Sequence, residues 1–278
     1  MTNSMSRREL LAGAAFAATA PAGPDFAPVD YHCHLNRVIT LDKALEISRQ
    51  RGVKFGIVEH AGLRKDHARY AGLLADDAGV QRFLAMLEGK PVFKGIQAEG
   101  LNWMGCFSKE MIAKLDYVLT DALTIPGPGG KLIHIWTAES EEVIADKQKF
   151  MDRYTDFHVE IMATEPIDII ANPTLLPEKL MPEFDSLWTE TRMRKIVDAG
   201  VKFKVAFEIN SRYRLPKTPF LKMAKAAGAR FSFGSNIQDL NIGNIDFSIE
   251  TAKALGLAGR NMFAPAPAGK KPVEVRKG

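Results

Sequence analysis

The sequence predicts an α/β barrel, about seven parallel strand–helix units closed into one domain. Three observations carry this. Short apolar segments alternate with segments of helical spacing, the pattern of repeated βα units. The chain has 278 residues, and a barrel of this kind typically needs ~250. Polar and ionisable residues recur at the ends of the predicted strands, where barrels carry their chemistry.

The elements follow in order. Residues 28–32 read as a strand, after a linker rich in proline (Pro21, Pro24, Pro28). Residues 41–51 place apolar side chains at 41, 44, 45 and 47, the spacing of a helix, and Gly52 ends it. Strands are predicted at 53–58, 92–98 and 117–120, with a helix at 76–87. A turn follows at Pro126-Gly127-Pro128-Gly129-Gly130. A helix is predicted at 140–157, then a strand at 167–170 ended by Asn172-Pro173. Residues 175–184 contain two prolines and read as an irregular surface loop. A helix at 187–199, strands at 205–209 and 230–233, and a helix at 247–255 complete the pattern. The barrel domain is expected to span 29–264, with 23–28 as linker.

Composition narrows the function. The chain is 46% hydrophobic and 25% charged, as globular proteins are. Its net charge of +4 sits at the ends: Arg7 and Arg8 against Glu9, and Lys270, Lys271, Arg276 and Lys277 against Glu274. The body between is neutral, which argues against a nucleic-acid face. The basic end, residues 265–278, is expected to be solvated and frayed. Cys33 and Cys106 cannot frame a disulfide scaffold. Cys33, between two histidines on a strand, reads as a buried thiol.

Residues 1–22 read as an export signal. Ser6-Arg7-Arg8-Glu9-Leu10-Leu11 precedes an Ala-rich apolar stretch over 12–20. Ala18-Thr19-Ala20 or Ala20-Pro21-Ala22 offers a small-residue cleavage site. The adjacent arginines resemble twin-arginine signals. That implies the twin-arginine translocase as a transient partner and a periplasmic or secreted destination. The stretch is too short to span a bilayer and no other long apolar run follows. No stable membrane insertion is expected.

The candidate site residues lie at the strand ends: His32 and His34, Glu59 and His60, Glu99, Asp121, Asn172, Glu208 and Asn210, then Asn236 and Gln238. Residues i and i+2 of a strand share a face, so His32 and His34 both point to the barrel mouth. Two imidazoles with carboxylates suit Zn, Mn or Fe. Arg212, Arg214 and Lys217 follow the sixth strand and offer donors to a phosphate or carboxylate. His67 and His134 stand outside this pattern. His158 is expected on a helix surface, and Trp103 and Trp136 either line a substrate mouth or, as the commoner role, pack in the core.

In this order the strand ends resemble the PHP (polymerase and histidinol phosphatase) family over roughly residues 27–260. Asp30-Tyr31-His32-Cys33-His34 looks like its opening Asp-x-His-x-His. Gly95-Ile96-Gln97-Ala98-Glu99 looks like its strand ending in a bridging glutamate. Phe233-Gly234-Ser235-Asn236 looks like its closing Gly-Ser-Asp-x-His. The resemblance implies a distorted (β/α)7 TIM-like barrel and a metal-dependent, phosphoesterase-like hydrolase. Of the family's metal ligands, His32, His34, His60 and Glu99 are matched. Thr40 lies near the place of a further, missing histidine. Leu123 stands where the family has a histidine, with Asp121 two residues before it. Asn172 replaces the His of His-Pro, and Asn236 and Gln238 replace the closing Asp and His. The expected cofactor is therefore one divalent ion on His32, His34, Glu99 and an oxygen of Asp121 or Asn236. Glu59, His60 or Glu208 would move the proton. Arg212, Arg214, Asn172 and Gln238 would hold a small, anionic substrate. A rival reading is a non-catalytic small-molecule-binding protein on the same scaffold.

Overall fold

The computed structural model describes residues 25–67, 69–137, 144–267 and 269–273. The export signal expected over residues 1–22 lies outside these residues. Seven parallel strands close a barrel in the order β1 (Val29–His34), β2 (Lys54–Ala61), β3 (Phe93–Ala98), β4 (Tyr117–Thr120), β7 (Ile169–Ile170), β8 (Ala206–Asn210) and β9 (Phe231–Gly234). β9 pairs back onto β1. After β4 the chain adds an antiparallel hairpin of β5 (Thr124–Pro126) and β6 (Leu132–His134). The proline- and glycine-rich stretch read as a turn is the tip of this hairpin.

Helices cover the outside: α1 (Leu41–Arg51), α2 (Arg64–His67), α3 (Asp77–Met86), α4 (Lys109–Ile112), α5 (Lys147–Thr164), α6 (Phe184–Leu187), α7 (Glu190–Phe203), α8 (Thr218–Ala226) and α9 (Asp246–Leu255). Their ends obey local chemistry. The Thr40 hydroxyl accepts from Lys43 N to start α1, and Gly52 at φ 64° closes it. Asp76 caps α3 and Thr189 caps α7 in the same way. α5 starts at the Asp146 cap and runs further than predicted, to Thr164; residues 140–143, where the predicted helix opens, lie outside the described residues. Its inner stripe includes His158, which is fully buried and not on a helix surface. Residues 175–184 are not a bare surface loop: Leu176 and Leu180 are buried, and a 3-10 turn spans Glu178–Glu183.

Alternation sorts each strand. One face sends Ile57, Ile96, Val118, Ile170, Phe207 and Phe233 to the helices. The other packs Tyr31, Val58, Tyr117, Leu119, Ile169 and Ala206 into the barrel interior, where Phe263, from the chain after α9, joins them. Tyr117 crosses the interior and its hydroxyl donates to Tyr31 O at 2.7 Å. Gly56 and Gly95 make room for it, since a methyl at either position would overlap its ring.

The two ends of the barrel differ. At the lower end Lys271 is buried, and its ammonium pairs with Asp168 at 2.6 Å. This corrects the expectation of a solvated basic end at that position: the lysine stem lies on apolar surface while its charge meets a carboxylate. At the upper end the interior becomes polar, and the strand ends build one site.

Candidate functional site

β1 supplies the two central imidazoles. Its pairing with β2 shifts register between Asp30 and Cys33, so Tyr31 fills the interior and His32 also turns inward. Asp30 fixes the bend, its Oδ1 accepting from His32 N at 3.0 Å and Ser235 N at 2.9 Å. Cys33 points the other way, into the outer core, as a buried free thiol.

His32 Nδ1 donates to Glu208 Oε1 at 2.7 Å. Glu208 Oε2 accepts from Asn172 N at 2.9 Å and Asn210 Nδ2 at 3.1 Å. The other ring atoms converge: His32 Nε2 at 3.1 Å and His34 Nε2 at 2.9 Å both meet Gln97 Oε1. Gln97 Nε2 donates to Asp121 Oδ2 at 3.3 Å. One pleat further along β3, Glu99 Oε1 contacts His60 Nδ1 at 2.6 Å, and its Oε2 is 3.9 Å from His67 Nδ1. Tyr70, His60 and His34 form a stack, with centroid spacings of 3.7 and 4.7 Å.

Burial sets the charges. Glu99 is raised to about 8, mainly by burial, with Arg69 at the exposed rim drawing it part of the way back. Asp121 is raised to about 7, by burial and then by the charge of Glu99. His60 is lowered to about 4 by burial, and His34 lies well below the usual histidine range for the same reason. His32 differs. Burial opposes its charge, but the charge and hydrogen bond of Glu208 outweigh this and its pKa is raised.

Among the described residues, no three His, Cys, Asp or Glu side chains converge closely enough to hold a metal ion. The donors nonetheless fit one cation. Two imidazole nitrogens share a single point, now taken by an amide, and Asp121 lies beside it. His32 has its far nitrogen held by a carboxylate, as metal-bound histidines commonly do. Glu99, Asp121 and Glu208 add buried negative charge.

The other predicted residues scatter. Glu59 is not in the mouth: neighbouring strand residues face opposite ways, and its carboxylate faces Gly72 in a cleft shared with Arg64 and Arg82. Asn172 is at the mouth with φ 47°; its side-chain amide is buried and makes no hydrogen bond within the protein. Asn236 engages through its backbone, N to His32 O at 3.1 Å and O from Arg212 Nη1 at 3.0 Å. Arg212 therefore stands at the rim. Arg214 turns away and lies over the Phe247 ring at 4.6 Å. Gln238 is exposed on the following loop. Trp103 is buried as expected, but Trp136 is 49% exposed. Trp136, Tyr213, Leu176 and Met181 line a pocket of about 420 Å³ between the loops after β4, β7 and β8.

Sequence reading missed three contributors: Gln97, His67 and Tyr70. Gln97 shares the inward face of β3 with Glu99, so alternation points to it once amides are counted. His67 and Tyr70 come from the loop after β2, which no periodicity places.

No family model matches the chain, and no curated protein matches it in sequence. A solved structure matches it in shape: a histidinol phosphate phosphatase from Lactococcus lactis, crystallised with zinc, L-histidinol and phosphate. The match has a TM-score of 0.54 at 16% identity and covers 88% of this chain and 99% of that one. The chain has a fold similar to that phosphatase. At such identity the likeness to the histidinol phosphate phosphatase carries the barrel alone, and the chemistry rests on the residues.

Proposed function

We propose that this chain is an exported hydrolase of small anionic esters, phosphoesterase-like in its chemistry, that works with one divalent ion (zinc, manganese or iron). One observation carries the reading: His32 Nε2 and His34 Nε2 meet at one buried point beside Asp121. The similar barrel of the histidinol phosphate phosphatase was crystallised with zinc and phosphate, which supports the same class of partner here.

His32, His34 and Asp121 would hold the ion, with Glu99 next to them. A bound cation of this kind lowers the pKa of an attacking water to ~7 and polarises the bond under attack. Glu208 keeps His32 oriented. His60 Nδ1 and Glu99 Oε1 are in contact at 2.6 Å; with Glu99 ionised beside a cation and the proton on Nδ1, His60 Nε2 would be the atom suited to take a proton from water. Arg212 at the rim and the amide of Asn172 offer donors to an anionic group.

The test is hydrolysis of a panel of small phosphomonoesters by chelator-stripped protein, with and without added zinc, manganese or ferrous iron. Turnover is expected only with metal, and His34→Ala should lower it by at least ~100-fold, since it removes a metal ligand. No turnover with any metal and ester would defeat the reading.

Gln97 favours a second reading. Its neutral amide closes the hydrogen-bond network without an ion, as suits a small-molecule-binding barrel. Calorimetric binding of small anions by stripped protein, without turnover when metal is restored, would select it.

A further inference from the structure

The point shared by the two imidazoles belongs to Gln97, and three hydrogen bonds hold the amide there, at 3.1, 2.9 and 3.3 Å. The residue is 6% exposed. Its orientation is not arbitrary. A flipped amide would set its oxygen against the Asp121 carboxylate, so nitrogen faces Asp121 and oxygen faces the histidines. Assigned from this network, both facing Nε2 atoms carry a proton. His32 donates from Nδ1 to Glu208 as well.

We infer that Gln97 is a built-in plug: its amide occupies the point the two imidazoles share, and a divalent cation enters only by displacing it. The glutamine has a long, rotatable side chain and no covalent restraint on the mouth side. The cation site of this barrel is thus a competition between an amide and an ion, and residue 97 sets its affinity. This goes beyond the hydrolase reading, because the plug affects binding whether or not the site turns over.

The experiment measures zinc and manganese binding by competition with a chelating dye, and thermal unfolding with and without metal, for the parent, Gln97→Ala and Gln97→Leu. Alanine vacates the point; leucine keeps it filled. Gln97→Ala should bind metal at least 10-fold more tightly than the parent, and metal should raise its unfolding temperature by more. Gln97→Leu should bind no more tightly than the parent. If alanine leaves affinity equal or weaker while the parent binds metal, the plug is refuted and the hydrolase reading stands. If Gln97→Ala binds metal and the parent does not, the plug is supported and the metal-dependent hydrolase falls. If neither binds, both are overturned. Should Gln97→Ala fail to fold, Gln97→Ser vacates the same point while keeping a hydrogen-bonding group.

Discussion

At the level of single side chains, His32 and His158 are both fully buried but differ in what faces their ring nitrogens. His32 meets the carboxylate of Glu208 and is favoured in its charged form. His158 meets only backbone carbonyls, donating from Nδ1 to Tyr154 O at 2.8 Å and facing that of Pro173, with Trp188 against its ring. Burial lowers it to about 4. The sign of its effect on stability follows. The folded state binds the proton less tightly than the unfolded state, so His158 favours folding above the ordinary histidine value of 6.5. That contribution is lost as pH falls towards 4. Between pH 7 and pH 4.5 the loss is about 2 kcal/mol by linkage. In urea unfolding, His158→Gln should lose less stability over this interval than the parent, by roughly that amount; equal losses would show that His158 takes up its proton freely in the folded state. Single-residue chemistry was legible where two groups stood close in sequence, as in His32-Cys33-His34. It was not legible for Gln97, whose importance comes from two imidazoles reaching across to it from β1. Nor was the Glu208 contact, made between residues 176 positions apart.

Elements position these groups through close backbone approach. Glu208 on β8 reaches His32 because the adjoining strand offers Gly234: a methyl there would overlap the Glu208 carboxyl group. Gly234→Ala should destabilise the fold by roughly 1–3 kcal/mol, the usual cost of overpacking, and should turn Glu208 away from His32. Urea unfolding measures the first effect, and the imidazole proton resonances of His32 report the second. Unchanged stability with an unchanged His32 resonance would contradict this packing. Strands and helices with clean periodicity were read well from sequence, β4 and α1 to the residue. The β5–β6 hairpin was not, because its strands are short and its proline and glycines signal only a turn. α8 was missed as well: it starts among Pro216 and Pro219, where proline belongs in a first turn as easily as in a loop. The inward set on β2 is His60, not Glu59, and only the observed register settles which member of an adjacent pair faces the mouth.

Across the whole molecule, the barrel separates stability from chemistry. The lower end is closed by aromatic packing and the Lys271–Asp168 pair, while the upper end gathers histidines, acids and amides. Among the described residues no helix is long and apolar enough to cross a membrane. The proposal of export rests on Arg7 and Arg8; replacing both with lysine should retain the precursor in the cytoplasm, and undiminished export would remove the twin-arginine reading. The number of metal ions is also a property of the whole mouth. Ions a few ångströms apart repel and need bridging anions. Gln97, Asn172 and Asn236 supply none, which leaves Asp121 and Glu99 to balance the charge. The most direct test is the anomalous scattering of crystals soaked in zinc or manganese, paired with metal content by mass spectrometry. The expected result is about one ion per chain at ~2.0–2.1 Å from His32 Nε2 and His34 Nε2, with Gln97 swung aside. No ion at that point, or a cluster of two or three, would contradict the account.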